Sequence, residues 1–535
     1  MKKLKIYSTL ILTAVALFLS ACDLNINQDP NNPVEVRNAW LLTQAQLDIS
    51  NSLGSGSTGL SNPASVFVHQ CTQRGNNDAY GITGADFVIG QSWGALYRAI
   101  QNLNIVVENG TKANEFAYVG IAKIMKAVAF SYMVDVWGDI PFSEASSKNV
   151  TVQFPKFDKG QDIYPKLFTL IDEGIADLTK PSLLSPRADD LIYAGNLTKW
   201  RKFAKSLKLK MYNQVRLVQN VNTQVNALIA ENDFIGAADN FEFAYSTQAA
   251  PDNRNPIFRS DYNVAGGRSN YISPYFHEIL LGVSALNTIT SGVTDPRIPY
   301  YYFNQLSNAR PNAQNPTEYR RDNFVSIYFS SQGPNQGFDQ SSSLTIVGLY
   351  YCGGRFDDGL GVTSSGVNGT SARGDGALRI LPFHSHLYTL AELAQTGTSS
   401  GDAKALLRSA ILASFAEVNK SAAGGGAPAI SAAAINTYAD GIMGKYDAAD
   451  ANGKLEMIIT QKWIANFGFG LESYNDYRRT GFPKPFDPAT DGVPFTNVQR
   501  AFAVSMPYPA PTELILNPNA PKQRVIATDK VFWQK

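Results

Sequence analysis

The chain is predicted to be mainly α, with helix pairs supporting one long irregular, loop-rich region, and two observations lead there. Apolar residues recur at three- and four-residue spacings over 91–108, 114–136, 160–178 and 197–218, and again over 378–395, 402–418, 431–446 and 455–466, which is the period of helices with a buried face. Between about 235 and 377 that rhythm stops, and Pro, Gly, Asn, Ser and single aromatics take over. A loop region this long inside a compact fold is ordinarily functional or disordered, and its many aromatics argue against disorder.

The first segment is a sorting signal. Lys2, Lys3 and Lys5 precede an apolar run from Ile6 to Leu19, and Leu19-Ser20-Ala21-Cys22 closes it. A basic start, a short apolar stretch and small residues before a cut make a secretory signal, and the run falls short of the roughly 20 residues that span a bilayer. A cysteine directly after Leu-Ser-Ala is the pattern of a bacterial lipoprotein, cleaved before Cys22 and acylated on it. Residues 22–33, rich in Asn, Asp and Pro, then read as a tether, and 34–535 as one α-helical domain. Removing residues 1–21 takes three lysines and moves the formal charge from +1 to −2. A near-neutral chain with 17% charged residues has no overall electrostatic reason to bind nucleic acid.

The helices follow in order. Trp93, Leu96, Tyr97, Ile100, Leu103 and Val107 form the stripe of the first. The next, through Ile121, Met125, Val128 and Met133, is apolar all round and should be buried on several sides. Asp139-Ile140-Pro141 stops it. Ile163, Tyr164, Leu167 and Ile171 mark the third, and Trp200, Phe203, Leu207 and Met211 the fourth, whose lysines between Lys199 and Lys210 read as a solvated face. From Phe482 onward the chain is Pro-rich, with at most short strands expected. Trp137, Trp200 and Trp463 read as core anchors.

No catalytic constellation and no metal or cofactor site is read from the chain. It offers no phosphate-cradling Gly-Lys-Ser/Thr loop. His384 and His386 stand two apart, so their rings leave a helix on different faces and do not share a zinc ion. Asp357-Asp358 reads as a solvated turn. The competing reading makes that pair part of a surface glycoside hydrolase, which needs two facing carboxyl groups.

Five phrases carry a resemblance. They are Trp93-Gly94-Ala95-Leu96-Tyr97-Arg98 continuing to Asn104, Asp135-Val136-Trp137-Gly138-Asp139-Ile140-Pro141-Phe142, and Gly195-Asn196-Leu197-Thr198-Lys199-Trp200. Near the end come Gln461-Lys462-Trp463 with Tyr474-Asn475-Asp476-Tyr477-Arg478-Arg479, then Pro507-Tyr508-Pro509 with Glu513 and Asn517. In this order, behind a lipoprotein signal, they resemble the SusD/RagB family of Bacteroidetes outer-membrane lipoproteins. The resemblance implies tetratricopeptide-like helix pairs that support an irregular ligand-binding half. It further implies a non-enzymatic, surface-exposed lipoprotein that captures an oligosaccharide or another oligomeric nutrient. Its partner would be a SusC-like TonB-dependent outer-membrane transporter. An assembly lipoprotein without a small ligand is the remaining alternative, and would present a convex, aromatic-poor surface.

Ligand-binding candidates are aromatics beside polar side chains in irregular chain. They are Gln73, Arg74, Asn76, Asn77 and Tyr80 in a first loop, Phe258, Arg259, Tyr262 and Tyr271 in the insertion, and Tyr350 and Tyr351 beside Cys352. With Cys22 acylated, Cys71 and Cys352 are left as candidates for a disulfide that would join the two groups. The anchor itself is directly testable. Cys22→Ala is expected to release the protein from membranes, since several acyl chains give stable anchoring. Labelling with a palmitate analogue checks it, and an unlabelled wild-type protein that stays soluble would contradict the lipoprotein assignment.

Overall fold

The computed structural model describes residues 36–73, 80–145, 152–262, 268, 270–307, 318–330, 343–362, 367–484 and 500–535. The expected signal peptide, Cys22 and the tether lie outside these residues, as do Arg74, Asn76 and Asn77.

Two helices, α1 (Asn38–Leu53) and α2 (Ser61–Phe67), precede the first predicted one. In α1 the buried set includes Gln46, Asp48, Ser50 and Ser52 beside Leu42, Ala45 and Ile49, so its apolar stripe is thin in sequence. Helix α3 (Phe87–Ala113) ends on Asn114 in the left-handed conformation, φ 56°, and α4 (Phe116–Trp137) starts two residues later. This tight connection makes a helical hairpin. Every residue of α4 from Ala127 to Trp137 is buried, as its all-round apolar character predicts. Helix α5 (Gly160–Leu178) packs against it at paired glycines. A Cβ on Gly120 would stand 2.8 Å from the Gly174 carbonyl, so the two backbones approach as only glycine allows.

Helix α6 (Leu197–Val215) is capped by Asn196, whose side chain accepts from the Lys199 N–H. Its basic face is occupied rather than free: Lys199 and Lys202 reach Asp239, Arg201 and Lys205 reach Asp233, and Lys208 reaches Asp172. Helix α7 (Asn222–Glu231) follows. These pairs form the tetratricopeptide-like half of the molecule.

Between α7 and residue 377 the elements are short: α8 (Pro256–Asp261), α9 (Pro274–Leu281), α10 (Ile298–Tyr301), α11 (Leu349–Cys352) and two- to four-residue strands. Antiparallel pairs join β1 (Cys71–Thr72) to β2 (Tyr271–Ile272), β3 (Tyr302–Phe303) to β6 (Ile346–Val347), and β4 (Glu318–Arg321) to β5 (Phe324–Ile327). One predicted helix divides in two. Leu378–Leu381 is a strand paired with Phe241–Phe243, and the helix, α12, runs only from Phe383 to Gln395. Pro382 between them cannot donate to a helical bond and favours an extended residue before it.

Helices α13 (Ala403–Gly425), α14 (Ala432–Ala448) and α15 (Ala451–Ala465) match their predicted windows, and α16 (Gly470–Thr480) is additional. Its sequence shows no apolar period because it buries charge instead. From 500 to the end the described residues form no strand, only a wide helical turn at Ala510–Leu514.

Trp137, Trp200 and Trp463 are all buried, and each indole N–H is satisfied, by the Pro507 carbonyl, Asp190 and the Val68 carbonyl respectively. At the centre α6, α12, α15 and α16 are tied by buried ions. Arg479 holds Glu392 through Nε and Nη2 at 3.0 and 2.7 Å, Asp476 at 2.6 Å and Gln214 at 2.7 Å. Arg216 adds a second cation on Glu392, at 2.7 Å. Lys462 bridges Glu472 and Asp476, and Lys210 reaches Glu472 at 3.1 Å. Burial alone would push Glu392 and Glu472 up, yet Arg479 and Arg216 around the first, and Lys210 and Lys462 around the second, hold both down to about 2.

Both carboxylates therefore add stability above their unfolded pKa of about 4.3 and lose it as pH falls toward about 2. Arg479→Met, which leaves Glu392 with Arg216 alone and Asp476 with Lys462 alone in the buried network, is expected to cost about 3–5 kcal/mol in urea unfolding at pH 7. Its deficit relative to wild type should shrink below about pH 4 as those acids take up protons. A variant as stable as wild type would contradict a structural role for the network.

Candidate functional site

The expected ligand-contacting rings are in the core. Tyr80, Phe258, Tyr262, Tyr271, Tyr350 and Tyr351 are all buried, at 5% exposure or less. Tyr80 takes φ 53° and bonds His69 through its hydroxyl at 2.9 Å. Phe258 stacks on Tyr262 at 4.6 Å, and the Tyr262 hydroxyl donates to the Val347 carbonyl. Tyr350 lies under the Arg379 guanidinium at 4.1 Å, and Tyr351 packs edge-on to Phe467. A region with few regular elements has few aliphatic stripes, so rings fill its interior, and this corrects their assignment as stacking platforms. Gln73 binds the side chains of Asn62 and Asn270, and the exposed Arg259 donates to the Asp252 carbonyl.

The candidate disulfide is not made: Cys71 and Cys352 are free and buried. Cys71 is fixed in β1 and Cys352 closes α11, its thiol turned to the Gly348 carbonyl. Burial pushes the Cys71 thiol up to about 12 and raises Cys352 as well, so neither presents a thiolate. The acid pair is a turn. Asp357 accepts from Asn304 and the Gly359 N–H, and Asp358 from the Leu360 N–H. His384 and His386 are buried and burial holds both near 3.

One motif is missed from sequence. Gly90-Gln91-Ser92-Trp93-Gly94 spells the Gly-x-Ser-x-Gly of a nucleophile elbow. It is not one: it lies within α3, and the buried Ser92 hydroxyl donates to the Thr58 carbonyl at 2.6 Å. Its glycines matter for another reason. Gly90, Trp93, Gly94, Tyr97, Arg98 and Gln101 fall on one face of α3 and form the floor of a groove of about 600 Å³. A Cβ added at Gly90 or Gly94 would meet nothing within 4 Å. A helical glycine costs about 0.8–1.0 kcal/mol relative to alanine, and no packing among the described residues requires either one.

The walls come from two distant segments. One is Gln153, Phe154 and Pro155; the other is the turn carrying Thr512, Glu513, Leu516 and Asn517. Asn517 donates to the Pro155 carbonyl at 2.9 Å and Asn519 to the Phe154 carbonyl at 2.7 Å, which pins the walls together. Phe154 and Leu516 expose their side chains at the rim, whereas Trp93 is buried and presents only an edge. Beneath the floor Trp93 packs against Trp137 at 5.0 Å and Tyr97 at 5.1 Å. The Trp93 indole donates to Glu513 at 2.9 Å, and burial raises that carboxyl. Arg98 is held flat against Asp48 by bonds of 2.9 and 2.8 Å, and the Tyr97 hydroxyl donates to the Pro141 carbonyl. Apolar rim, preset polar groups and ligand-sized volume are the features of a candidate binding groove. Trp93, Tyr97 and Glu513 belong to the phrases that carry the family resemblance, not to the ligand-binding candidates named from the sequence. The legible signal was the pair of glycines four apart beside Trp93 and Tyr97 in a strongly periodic helix.

A family model described as "Starch-binding associating with outer membrane" (SusD-like) matches residues 30–509. No match is found among curated proteins. Among solved structures the chain is similar to a SusD homolog from Parabacteroides distasonis, with TM-score 0.69, 19% identity, and coverage of 94% of this chain and 98% of that one. A SusD/RagB family protein from Bacteroides thetaiotaomicron aligns with TM-score 0.66 and 19% identity over 93% and 99% of the two chains. A chitin-binding protein aligns with TM-score 0.67 and 20% identity over 93% and 100%.

Proposed function

Because the chain belongs to the SusD-like family of outer-membrane-associated binding proteins, we propose that it captures an oligomeric nutrient, a glycan in the first instance, and delivers it to a SusC-like TonB-dependent outer-membrane transporter. In this reading residues 1–21 are a lipoprotein signal, Cys22 carries the acyl chains, 22–33 tether the protein at the cell surface, and 34–535 form one binding domain. The observation that carries it is the groove on α3. Its two glycines leave an aromatic-edged trough open among the described residues, at a cost to helix stability that an outside occupant would explain. A chitin-binding protein with the same fold supports a glycan as that occupant. The work asked of the protein is binding, with no bond made or broken; the Asp357-Asp358 pair that a hydrolase would need is spent on a turn.

The glycines give a test that separates folding from binding. Gly94→Ala is expected to raise stability by about 0.5–1 kcal/mol. Gly94→Phe is expected to stay folded while filling the groove and abolishing binding in calorimetry against a panel of oligosaccharides and peptides. A folded Gly94→Phe protein that binds like wild type would contradict the assignment. Affinity capture from detergent-solubilised outer membranes should retain a TonB-dependent receptor, and its consistent absence would contradict the delivery role.

A further inference from the structure

A second cavity, of about 470 Å³, adjoins the groove along the same helix. Ala145 lines both, and Asn104, on the wall of the second, stands one helical turn beyond Gln101 of the first. Its apolar side is the half-buried Phe142 and Leu170 over the buried Ile100 and Phe130, with the Phe130 and Phe142 rings edge-on at 4.7 Å. Its charged side differs from the rest of the scaffold, where cations of α6 are matched to acids. Lys126, half-buried on α4, makes no hydrogen bond or ion pair among the described residues.

One acid, Glu173 of α5, lines the same cavity and is shared with Lys123. Glu173 and Asp177 of α5 both hold Lys123, at 3.0 and 2.9 Å, one turn away from Lys126. Lys166, exposed on α5, adds a second ammonium with no ion pair among the described residues, 5.6 Å from the centre of the Phe142 ring. Burial lowers the pKa of Lys126, Lys123 lowers it further, and Glu173 opposes them. An ammonium drawn out of water without a counter-ion is costly, so it favours any anion that enters. Asn104 and Thr169 supply neutral hydrogen-bonding groups beside the two lysines.

We propose that this cavity is an acid-recognising subsite, so that the ligand is an oligosaccharide bearing carboxylate or sulfate groups, held by Lys126 and Lys166 while its neighbouring units lie in the glycine-floored groove. The inference rests on the nutrient-binding reading and narrows it to a substrate class. An apolar wall opposite two ammonium groups suits a sugar ring, which has one carbon-rich face and a charged edge.

The test is calorimetry with acidic oligosaccharides (hexagalacturonate, a hyaluronan octasaccharide and a chondroitin sulfate hexasaccharide) and their carboxyl-reduced or desulfated counterparts. Inorganic phosphate is titrated alongside. Wild type is expected to bind an acidic probe about tenfold or more tightly than its neutral counterpart, a difference the size of a charged hydrogen bond. The double variant Lys126→Gln/Lys166→Gln should remain folded and lose that preference while keeping affinity for the neutral form. Equal binding of acidic and neutral probes by wild type, or a double variant that keeps the preference, overturns the proposal. If acidic and neutral probes bind wild type equally and Gly94→Phe removes both, the nutrient reading stands and only the acidic class fails. If inorganic phosphate binds as tightly as the oligosaccharides, the cavity holds a free anion and the proposal fails. If no probe binds, both readings fail.

Discussion

The buried ion network around Arg479 and Glu392 is the constraint on which the rest of the structure depends. It joins α6, α12, α15 and α16, which are distant in sequence, through bonds that only one arrangement of those helices satisfies. Buried ion pairs are weak net stabilisers compared with apolar packing, but breaking one leaves a stranded charge costing about 3–5 kcal/mol. The network thus penalises misregistered packing more than it rewards the correct one. This suits a fold whose other half has few regular elements to define it. The short strands and turns between 235 and 377 are held by rings packed in the interior and by single side chains such as Asn255, which bonds the Gly376 carbonyl.

Helix α3 connects this frame to function. Its inner face, through Leu96, Ile100, Leu103 and Val106, is fully buried against the core. Its outer face carries Gly90, Gly94, Tyr97 and Gln101 under the groove. The walls are set by the far end of the chain: the Trp137 indole binds the Pro507 carbonyl, the Tyr508 hydroxyl binds the Asp139 carbonyl, and the turn at 510–514 follows. The groove is therefore made of elements fixed by core packing, which holds a binding surface ready before any ligand arrives and reduces the ordering cost of binding.

Much of the helical half was legible in the sequence, because α3, α4, α5, α6, α13, α14 and α15 show their buried faces as a three-to-four period. The failures have physical causes. Helix α16 hides its burial in Glu472, Asp476, Arg478 and Arg479, which count as polar in any hydrophobic pattern. The run at 378–395 has enough apolar residues for either period, and Pro382 alone divides it. The proposed site lies in a different place from the one expected. Rings in loop-rich chain look exposed because their neighbours are polar, yet Tyr262 and Tyr351 are core residues of that loop-rich region. The groove depends on empty space above Gly90 and Gly94, and on contacts between residues more than 350 apart. Neither leaves a local trace beyond the glycines themselves.

The central claim is that an oligomer binds along the outer face of α3, between the wall at 153–155 and the turn at 512–517. Hydrogen exchange with and without a saturating oligosaccharide tests it most directly. The amides of α3 are already protected by helical bonds, so the informative ones are those of the two walls. The account predicts that ligand slows exchange in 152–158 and 510–519. Slowing confined to the segments around Gln73, Arg259 and Asp357, with both walls unchanged, would contradict it.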